Sequence, residues 1–198
     1  HPKFNQKLSR ADAAAQLGID PQQRTLLLMG GSMGYADHVK TLEKLTALGF
    51  PLQLLVVCGN NKKQFLQVEQ FASRYQGDCV IKPYGFVHNV EVMMSAADCI
   101  VSKPGGLTVS EALAKNLPML LVDPIPGHEE RNVEFLVNNG MAAQITKHFP
   151  IDEAVYELFR NPARLATVRQ TMQAVAHPDA TERLADFVLQ WNEPSNAC

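Results

Sequence analysis

The sequence lacks the signatures of several common protein classes. Its 4 cysteines, Cys58, Cys79, Cys99 and Cys198, form no Cys-x-x-Cys pair, and three of them lie in apolar, strand-like runs. We therefore interpret them as reduced thiols of a cytoplasmic protein rather than as a disulfide or zinc framework. No apolar run approaches the roughly 20 residues that span a bilayer, and no signal peptide is recognised.

Neither positive nor negative charge is in large excess. The 198 residues carry a net charge of −2, with 19% charged and 46% hydrophobic residues, and Lys and Arg form no block interleaved with aromatic residues. Nucleic acid is therefore not an expected partner, and the composition predicts one globular domain with a sizeable core. The chain starts at His1-Pro2-Lys3 without an initiator Met, so we interpret it as a fragment.

The usual dinucleotide, P-loop and metal motifs are missing as well. Gly30, Gly31 and Gly34 do not have the G-x-G-x-x-G spacing, and no acidic residue follows the second apolar run at Cys58. There is no G-x-x-x-x-G-K-[ST], no Asp-x-Asp pair and no His/Cys/Asp cluster with metal spacing. A diphosphate ligand would be held by backbone amides and a helix terminus, without a metal or other cofactor.

What the sequence does contain is a regular alternation of apolar runs and helical patterns. The apolar runs show no polar alternation, which is typical of buried parallel strands. Strands alternating with helices at this spacing predict an α/β fold with a doubly wound, Rossmann-like parallel sheet. The predicted strands are 25–29, 52–57, 79–83, 98–101, 119–122 and 142–145, and helices alone are expected from Ile151 onward.

Glycine-rich or polar segments follow the ends of these strands. They are Gly30-Gly31-Ser32, Gly59-Asn60, Gly85-Phe86, 103–106 and 126–132. Ligands of doubly wound sheets bind outside the carboxyl ends of the strands, so this edge is predicted to be a ligand crevice.

The segment 102–132 is the most informative part of the chain. Gly105 and Gly106 remove side chains where the backbone turns, and the helix predicted from Leu107 to Lys115 would direct its unpaired N–H groups outward. Glu111 lies one turn beyond Thr108 and can accept hydrogen bonds from a ligand in the same crevice. An ordinary strand–turn–helix corner with a solvated Glu is the alternative.

Three linked motifs in this region resemble the donor half of family 28 glycosyltransferases. They are K-P-G-G-L-T-V-S-E-A, P-M-L-L-V-D-P-I-P-G-H-E-E-R-N and N-N-G-M-A, within a resemblance that covers residues 25–143. The family contains diacylglycerol glucosyltransferases, monogalactosyldiacylglycerol synthases and the N-acetylglucosaminyltransferase of peptidoglycan lipid synthesis. The P-G-x-E-x-x-N form is most similar to that of the glycolipid synthases.

The resemblance implies a two-domain GT-B architecture in which residues 1–198 form the C-terminal, UDP-sugar-binding domain. The N-terminal acceptor domain, with the catalytic base, would lie outside this chain. The whole protein would be an inverting, metal-independent hexosyltransferase acting on a lipid such as diacylglycerol. It would lie in the cytoplasm at the inner face of the membrane.

The resemblance also implies roles for individual residues. Gly31 and Ser32 would lie beside the diphosphate, Phe86 and Val87 at the uracil, Glu111 at the ribose, and His128 and Glu129 at the transferred sugar. The remaining donor-site residues would be Gly59, Asn60, Lys103, Gly105, Gly106, Leu107, Thr108, Gly127 and Asn132. Alternatives are a turn role for Ser32, core packing for Phe86, a solvated charge for Lys103 and a helix-end role for His128. We interpret His38, His88, His148 and His177 as structural.

Two other functions remain open at this stage. A UDP-sugar 2-epimerase shares the fold and a similar Gly-Gly-x-x-x-Glu motif, although the P-G-H-E-E-R-N segment argues against it. A non-catalytic nucleotide-sugar sensor would keep the same donor residues.

The last helix carries an apolar stripe of Leu184, Phe187, Val188 and Trp191. We expect this stripe to be partly exposed here, where it would meet the N-terminal domain or pair with a second copy of the chain. Packing on its own sheet is the third alternative.

Overall fold

The structure is a computed structural model that describes residues 1–30, 37–177 and 179–191. A short 3₁₀ helix, Pro2–Asn5, precedes the alternating elements. The strands are β1 (Thr25–Met29), β2 (Gln53–Val57), β3 (Val80–Tyr84), β4 (Cys99–Ser102), β5 (Met119–Leu121) and β6 (Ala142–Gln144). The helices are α1 (Arg10–Leu17), α2 (His38–Thr46), α3 (Lys62–Arg74), α4 (Val90–Ala96), α5 (Gly106–Ala114), α6 (Glu130–Asn138), α7 (Ile151–Arg160), α8 (Pro162–Val175) and α9 (Ala180–Trp191).

The strands form one six-stranded sheet in the order β3-β2-β1-β4-β5-β6. Every pairing in it is parallel, and Leu27 of β1 lies between Leu55 of β2 and Ile100 of β4. This order confirms the prediction of a doubly wound, Rossmann-like sheet.

Apolar cores cover both faces of the sheet, which is why its central strands are apolar throughout. Leu27 contributes to a core with α1, α4, α5 and α6, whereas its neighbours Leu26 and Leu28 contribute to a core with α2, α3 and α7. The α8 helix joins the two cores, with Leu165 packed in the second and Met172 in the first. Alternate strand residues point to opposite faces, so a strand covered on both sides needs apolar residues at every position.

The ends of α1 show local capping interactions. The Ser9 side chain accepts a hydrogen bond from the Asp12 N–H, and Gly18 ends the helix in the left-handed conformation with φ of 61°. This conformation costs glycine little because it has no Cβ.

The observed boundaries differ from the predicted ones by at most one residue. The β3 strand spans Val80–Tyr84 rather than 79–83 and includes Pro83, which lacks a donor N–H. Because β3 is the outermost strand of the sheet, that missing donor is tolerated there. The α6 helix begins at Glu130, with Glu129 at its N-cap position.

The sheet order reverses direction between β1 and β4. The α2 helix, which follows β1, packs on one face through Leu42 and Leu45, and the α5 helix, which follows β4, packs on the other through Val109 and Ala112. The two connections therefore diverge and leave a crevice at the carboxyl edge of the sheet.

Candidate functional site

The amino end of α5 opens into this crevice. Gly105 is the N-cap residue and offers no side-chain cap, and the first backbone hydrogen bond of the helix joins the Val109 N–H to the Gly105 carbonyl oxygen at 2.9 Å. The N–H groups of Gly106, Leu107 and Thr108 precede that bond and point out of the helix end. Together with the helix dipole, they form a site suited to an anion such as a phosphate.

The loop between β5 and α6 forms a second wall of the crevice. Its Gly127 has φ of 79°, a left-handed conformation that favours glycine, and its N–H donates to Glu130 Oε2 at 3.1 Å. Glu129 Oε2 accepts a hydrogen bond from the Ile125 N–H at 2.8 Å, which fixes the carboxylate within the loop. His128, between them, is exposed to solvent.

Two contacts join this loop to the amino end of α5. Asn132 Nδ2 donates a 2.8 Å hydrogen bond to the Pro104 carbonyl oxygen. Glu129 Oε1 would lie only 3.4 Å from a Cβ added at Gly105, so a carboxylate stands directly beside the helix terminus. A small side chain at position 105 would meet the Glu129 carboxylate at about van der Waals distance.

On the opposite side of α5 lies the loop between β3 and α4. Phe86 is 54% exposed, and its ring meets His88 edge-on, with ring centroids 5.0 Å apart. Core packing of Phe86, the alternative considered above, is therefore wrong. Lys3 holds the loop from the other side: its Nζ donates to the His88 carbonyl oxygen at 2.9 Å and pairs with Glu91 Oε2 at 2.8 Å.

Glu111, on α5, is half-buried and lies within electrostatic reach of Lys3 and of Glu91 on α4. Burial raises the pKa of the Glu111 carboxyl above its ordinary value, and the Glu91 carboxylate acts in the same direction. The positive charges of the His1 amino group and Lys3 act against this rise in pKa. A half-buried, acceptor-only carboxylate at this place is suited to ligand hydroxyl groups.

The end of β2 adjoins the β3–α4 loop. The Cys58 N–H donates to the Tyr84 carbonyl oxygen at 2.8 Å, and a Cβ at Gly85 would lie 3.9 Å from the Gly59 carbonyl oxygen. Asn60 is exposed beside it.

Most of the predicted site residues follow the carboxyl ends of the strands, on one edge of the sheet. Those at the carboxyl edge of the sheet are Gly59, Asn60, Phe86, Val87, Lys103, Gly105, Gly106, Leu107, Thr108, Glu111, Gly127, His128, Glu129 and Asn132. Gly31 and Ser32 lie outside the described residues, so their predicted position beside a diphosphate stays a prediction.

Sequence reasoning missed Lys3, Glu91 and His88 as neighbours of this crevice. His88 was interpreted as structural, yet it is exposed and in contact with the Phe86 ring. Lys3 belongs to the first residues of the chain and offers no local signal, because its partners are 85 or more positions away in sequence.

Three further properties of the described residues concern metal binding, membrane crossing and the cysteine thiols. Within residues 1–30, 37–177 and 179–191, no group of His, Cys, Asp or Glu side chains is arranged to hold a metal ion. Among the helices described there, none is long and apolar enough to cross a membrane. Cys58 and Cys99 are buried free thiols, and burial raises the pKa of Cys58 to about 11.

A six-stranded, doubly wound parallel sheet, with a helix terminus and two glutamates near the point where its strand order reverses, defines a Rossmann-like α/β domain. The match to a known family is specific. The family model for the glycosyltransferase family 28 C-terminal domain matches residues 25–184, and the chain belongs to this family.

Curated relatives include processive diacylglycerol beta-glucosyltransferases of Bacillus species. The Bacillus pumilus protein is 26% identical over 192 residues, which cover 97% of this chain and 50% of that protein. The Bacillus cytotoxicus protein is 29% identical over 178 residues, covering 88% and 44% respectively. The chain spans about half the length of the curated relatives it matches.

Solved structures show the same fold. The MurG of Acinetobacter baumannii superposes with a TM-score of 0.74 at 22% identity, over 94% of this chain and 55% of that one. WaaG, a glycosyltransferase involved in lipopolysaccharide biosynthesis, gives a TM-score of 0.67 at 18% identity, over 94% and 53%. The fold is thus the Rossmann-like domain of GT-B glycosyltransferases.

Proposed function

We propose that this chain is the donor-binding domain of an inverting glycosyltransferase that moves a hexose from a UDP-sugar to a lipid acceptor. Membership of family 28 supports the reaction class, and the names of the Bacillus relatives favour glucose as the sugar and diacylglycerol as the acceptor. N-acetylglucosamine is the alternative sugar within the family. The whole protein would be peripheral to the inner face of the membrane.

The proposal depends on one observation, which is that hydrogen-bond donors and a carboxylate acceptor lie side by side at the amino end of α5. The N–H groups of residues 106–108 are donors, whereas Glu129 Oε1 beside Gly105 is an acceptor. An ionised carboxylate repels phosphate but accepts hydrogen bonds from hydroxyl groups. A ligand that presents phosphate to the helix end and hydroxyls to Glu129 has the composition of a nucleoside diphosphate sugar.

The remaining walls suit the nucleoside part of such a ligand. Glu111 would accept hydrogen bonds from the ribose hydroxyls, and the backbone beside Phe86 and Val87 would meet the uracil, with the exposed Phe86 ring packed nearby. His128 and Glu129 would bind the hydroxyls of the hexose, with Gly127 and Asn132 setting the shape of that loop.

In the reaction, these groups would act on the leaving diphosphate. The amides at the end of α5 stabilise the negative charge that develops as the bond to the anomeric carbon breaks, because they are fixed in place before the reaction starts. A metal ion is not required for this role. The general base that deprotonates the acceptor hydroxyl would come from the N-terminal domain.

Calorimetric titration of the chain tests the proposal. The titrants are UDP, UDP-glucose, UDP-galactose, UDP-N-acetylglucosamine and ADP, each with EDTA present, against the wild-type chain and Glu111→Ala. We expect the uridine ligands to bind more tightly than ADP without a metal, UDP-glucose to lead the sugars, and Glu111→Ala to weaken binding.

Two results would count against parts of this proposal. Equal affinity for ADP and UDP, or binding that needs a divalent cation, would contradict the donor site as described. Conversion of UDP-N-acetylglucosamine to its 2-epimer would favour the epimerase alternative, and donor binding by a whole protein that transfers no sugar would favour a sensor.

A further inference from the structure

A cluster of basic side chains lies at the amino edge of the sheet, opposite the donor crevice. Asp98, immediately before β4, has a side chain that is 3% exposed, and three guanidinium groups surround it. Arg10 comes from the start of α1, Arg24 from the residue before β1, and Arg169 from α8. Three positive charges thus meet one negative charge.

The carboxylate of Asp98 is already saturated without Arg169. Arg10 binds it through two nitrogens, Nη1 to Oδ1 at 2.8 Å and Nη2 to Oδ2 at 2.9 Å. Arg24 Nη1 lies 3.2 Å from Oδ1, and the Thr25 N–H donates to Oδ2 at 2.8 Å. These contacts use the roughly four acceptor positions that a carboxylate offers.

Arg169 makes only long contacts to this group. Its Nη2 is 3.9 Å from Asp98 Oδ1 and 3.4 Å from the Asp98 carbonyl oxygen. Burial lowers the pKa of the Arg169 guanidinium, and the nearby Arg10 and Arg24 lower it further, against the attraction of Asp98. Among the described residues, the charge on Arg169 is therefore poorly compensated.

Two adjoining cavities open at this cluster and share Asn116 and Arg169. One, of about 390 Å³, is lined by Arg24, Arg169, Gln170 and Gln173 among others, and the second is about 460 Å³. The second adds three basic side chains, Lys7, Arg10 and Lys115. None of the described residues that line either cavity is an Asp or Glu, although the whole chain has a net charge of −2.

We propose that the smaller cavity binds a phosphate group between Arg24 and Arg169. Guanidinium groups bind phosphate through charge-assisted hydrogen bonds, and the amides of Gln170, Gln173 and Asn116 can supply neutral donors around the anion. The site is separate from the donor crevice, since it lies at the opposite ends of the strands. The phosphate could be carried by a small soluble molecule or by a lipid headgroup, which share this chemistry.

Calorimetric titration with inorganic phosphate, at constant ionic strength maintained with chloride, tests the site. Arg169→Gln removes one guanidinium, and Gln173→Glu places a negative charge at an exposed cavity position without removing any ion pair. We expect each substitution to weaken phosphate binding by about tenfold or more. Arg164→Gln is the matched control, because this exposed residue of α8 pairs with Glu157 outside the cavity and should leave phosphate affinity unchanged.

A second arm identifies the source of the phosphate. Vesicles of phosphatidylcholine with and without phosphatidic acid are tested for binding to the chain, and inorganic phosphate is added as a competitor. Binding that requires phosphatidic acid, and that Gln173→Glu removes, assigns the site to a headgroup, whereas phosphate binding without vesicle binding assigns it to a soluble phosphate.

The proposal fails if neither probe binds the wild-type chain. It also fails if phosphate binds but both cavity substitutions leave its affinity unchanged, because the anion would then occupy another position such as the end of α5. Thermal unfolding without phosphate shows whether Arg169→Gln is folded, and Gln173→Glu provides an independent answer if it is not.

Discussion

The Glu111 carboxylate is expected to lower the stability of the folded chain while contributing to donor binding. Burial raises the pKa of its carboxyl, so the folded chain retains that proton to a higher pH than the unfolded chain does. The free energy of unfolding then falls as pH rises from the unfolded pKa through the folded one. At a pH above both of these pKa values, the buried carboxylate therefore costs stability.

We therefore expect Glu111→Gln to raise the melting temperature at pH 7, with a difference that shrinks towards pH 4. Donor affinity should fall by about 10- to 100-fold, since hydrogen bonds to a charged acceptor are lost. Calorimetric scans over pH and titrations with UDP measure the two effects. Glu69→Gln, at an exposed carboxylate of α3, should change neither. A stabilised variant with unchanged UDP affinity would contradict the ribose role.

Asp98 has the opposite effect on stability. Its buried carboxylate joins α1, β1 and α8 to the start of β4 through three arginines. We expect Asp98→Asn to lower the free energy of unfolding by about 3 kcal/mol, because it leaves the guanidinium groups facing one another without their counter-charge. Urea denaturation measures this. Asp152→Asn, in an exposed pair 3.8 Å from Lys44, should cost less than about 1 kcal/mol.

At the scale of elements, the donor crevice depends on how the β5–α6 loop meets the amino end of α5. Asn132→Ala removes the hydrogen bond to the Pro104 carbonyl oxygen while leaving the helix intact. We expect UDP-sugar affinity to fall by about 5- to 20-fold with UDP itself less affected, because the loop carries the sugar-binding residues. Asn139→Ala, at the other end of α6, is the control. Equal losses for UDP and UDP-sugar would indicate a general disruption.

The apolar stripe of the α9 helix does not by itself show which surface it contacts. The stripe is exposed as expected: Leu184 is 63% accessible, Phe187 58% and Trp191 78%, and no residue of this fully described helix is buried. Packing on its own sheet is therefore wrong. Contact with the N-terminal domain and self-association of the domain both stay proposals.

Trp191, the single tryptophan of the chain, reports on this stripe. We expect its fluorescence to be quenched efficiently by acrylamide at low protein concentration, because 78% of the residue is exposed. Protection that increases with protein concentration, and that Phe187→Ser removes, would support self-association. Full protection in a monomer shown by ultracentrifugation would contradict the exposed stripe.

For the whole molecule, we expect donor binding to occur without sugar transfer. The chain should bind UDP-sugar but transfer no hexose to diacylglycerol in vesicles, because the acceptor site and the general base would lie in the N-terminal domain. Radiolabelled UDP-glucose with product extraction measures transfer, and a full-length protein that contains this sequence is the positive control. Detectable transfer by the chain alone would place the base within it.

Some parts of the structure could be predicted from the sequence and others could not, and the reasons are physical. The predicted strand boundaries lie within one residue of the observed ones because both faces of the sheet are covered, which makes each strand a continuous apolar run. The crevice was predictable because glycine and polar residues follow those runs at Gly59, Gly85 and Gly105. The approach of Glu129 to Gly105 could not be predicted from the sequence, because it depends on the relative positions of two loops.

Local periodicity and the residues next to strand ends were enough to predict the elements, the parallel doubly wound class and the edge of the sheet where the proposed site residues gather. The tertiary structure was needed to show which distant groups meet. Arg10, Arg24 and Arg169 reach Asp98 across 88, 74 and 71 positions of sequence, and Lys3 reaches the His88 carbonyl across 85. No local pattern encodes such contacts, because charged side chains at helix and strand ends are normally solvated and their pairing depends on how the elements pack.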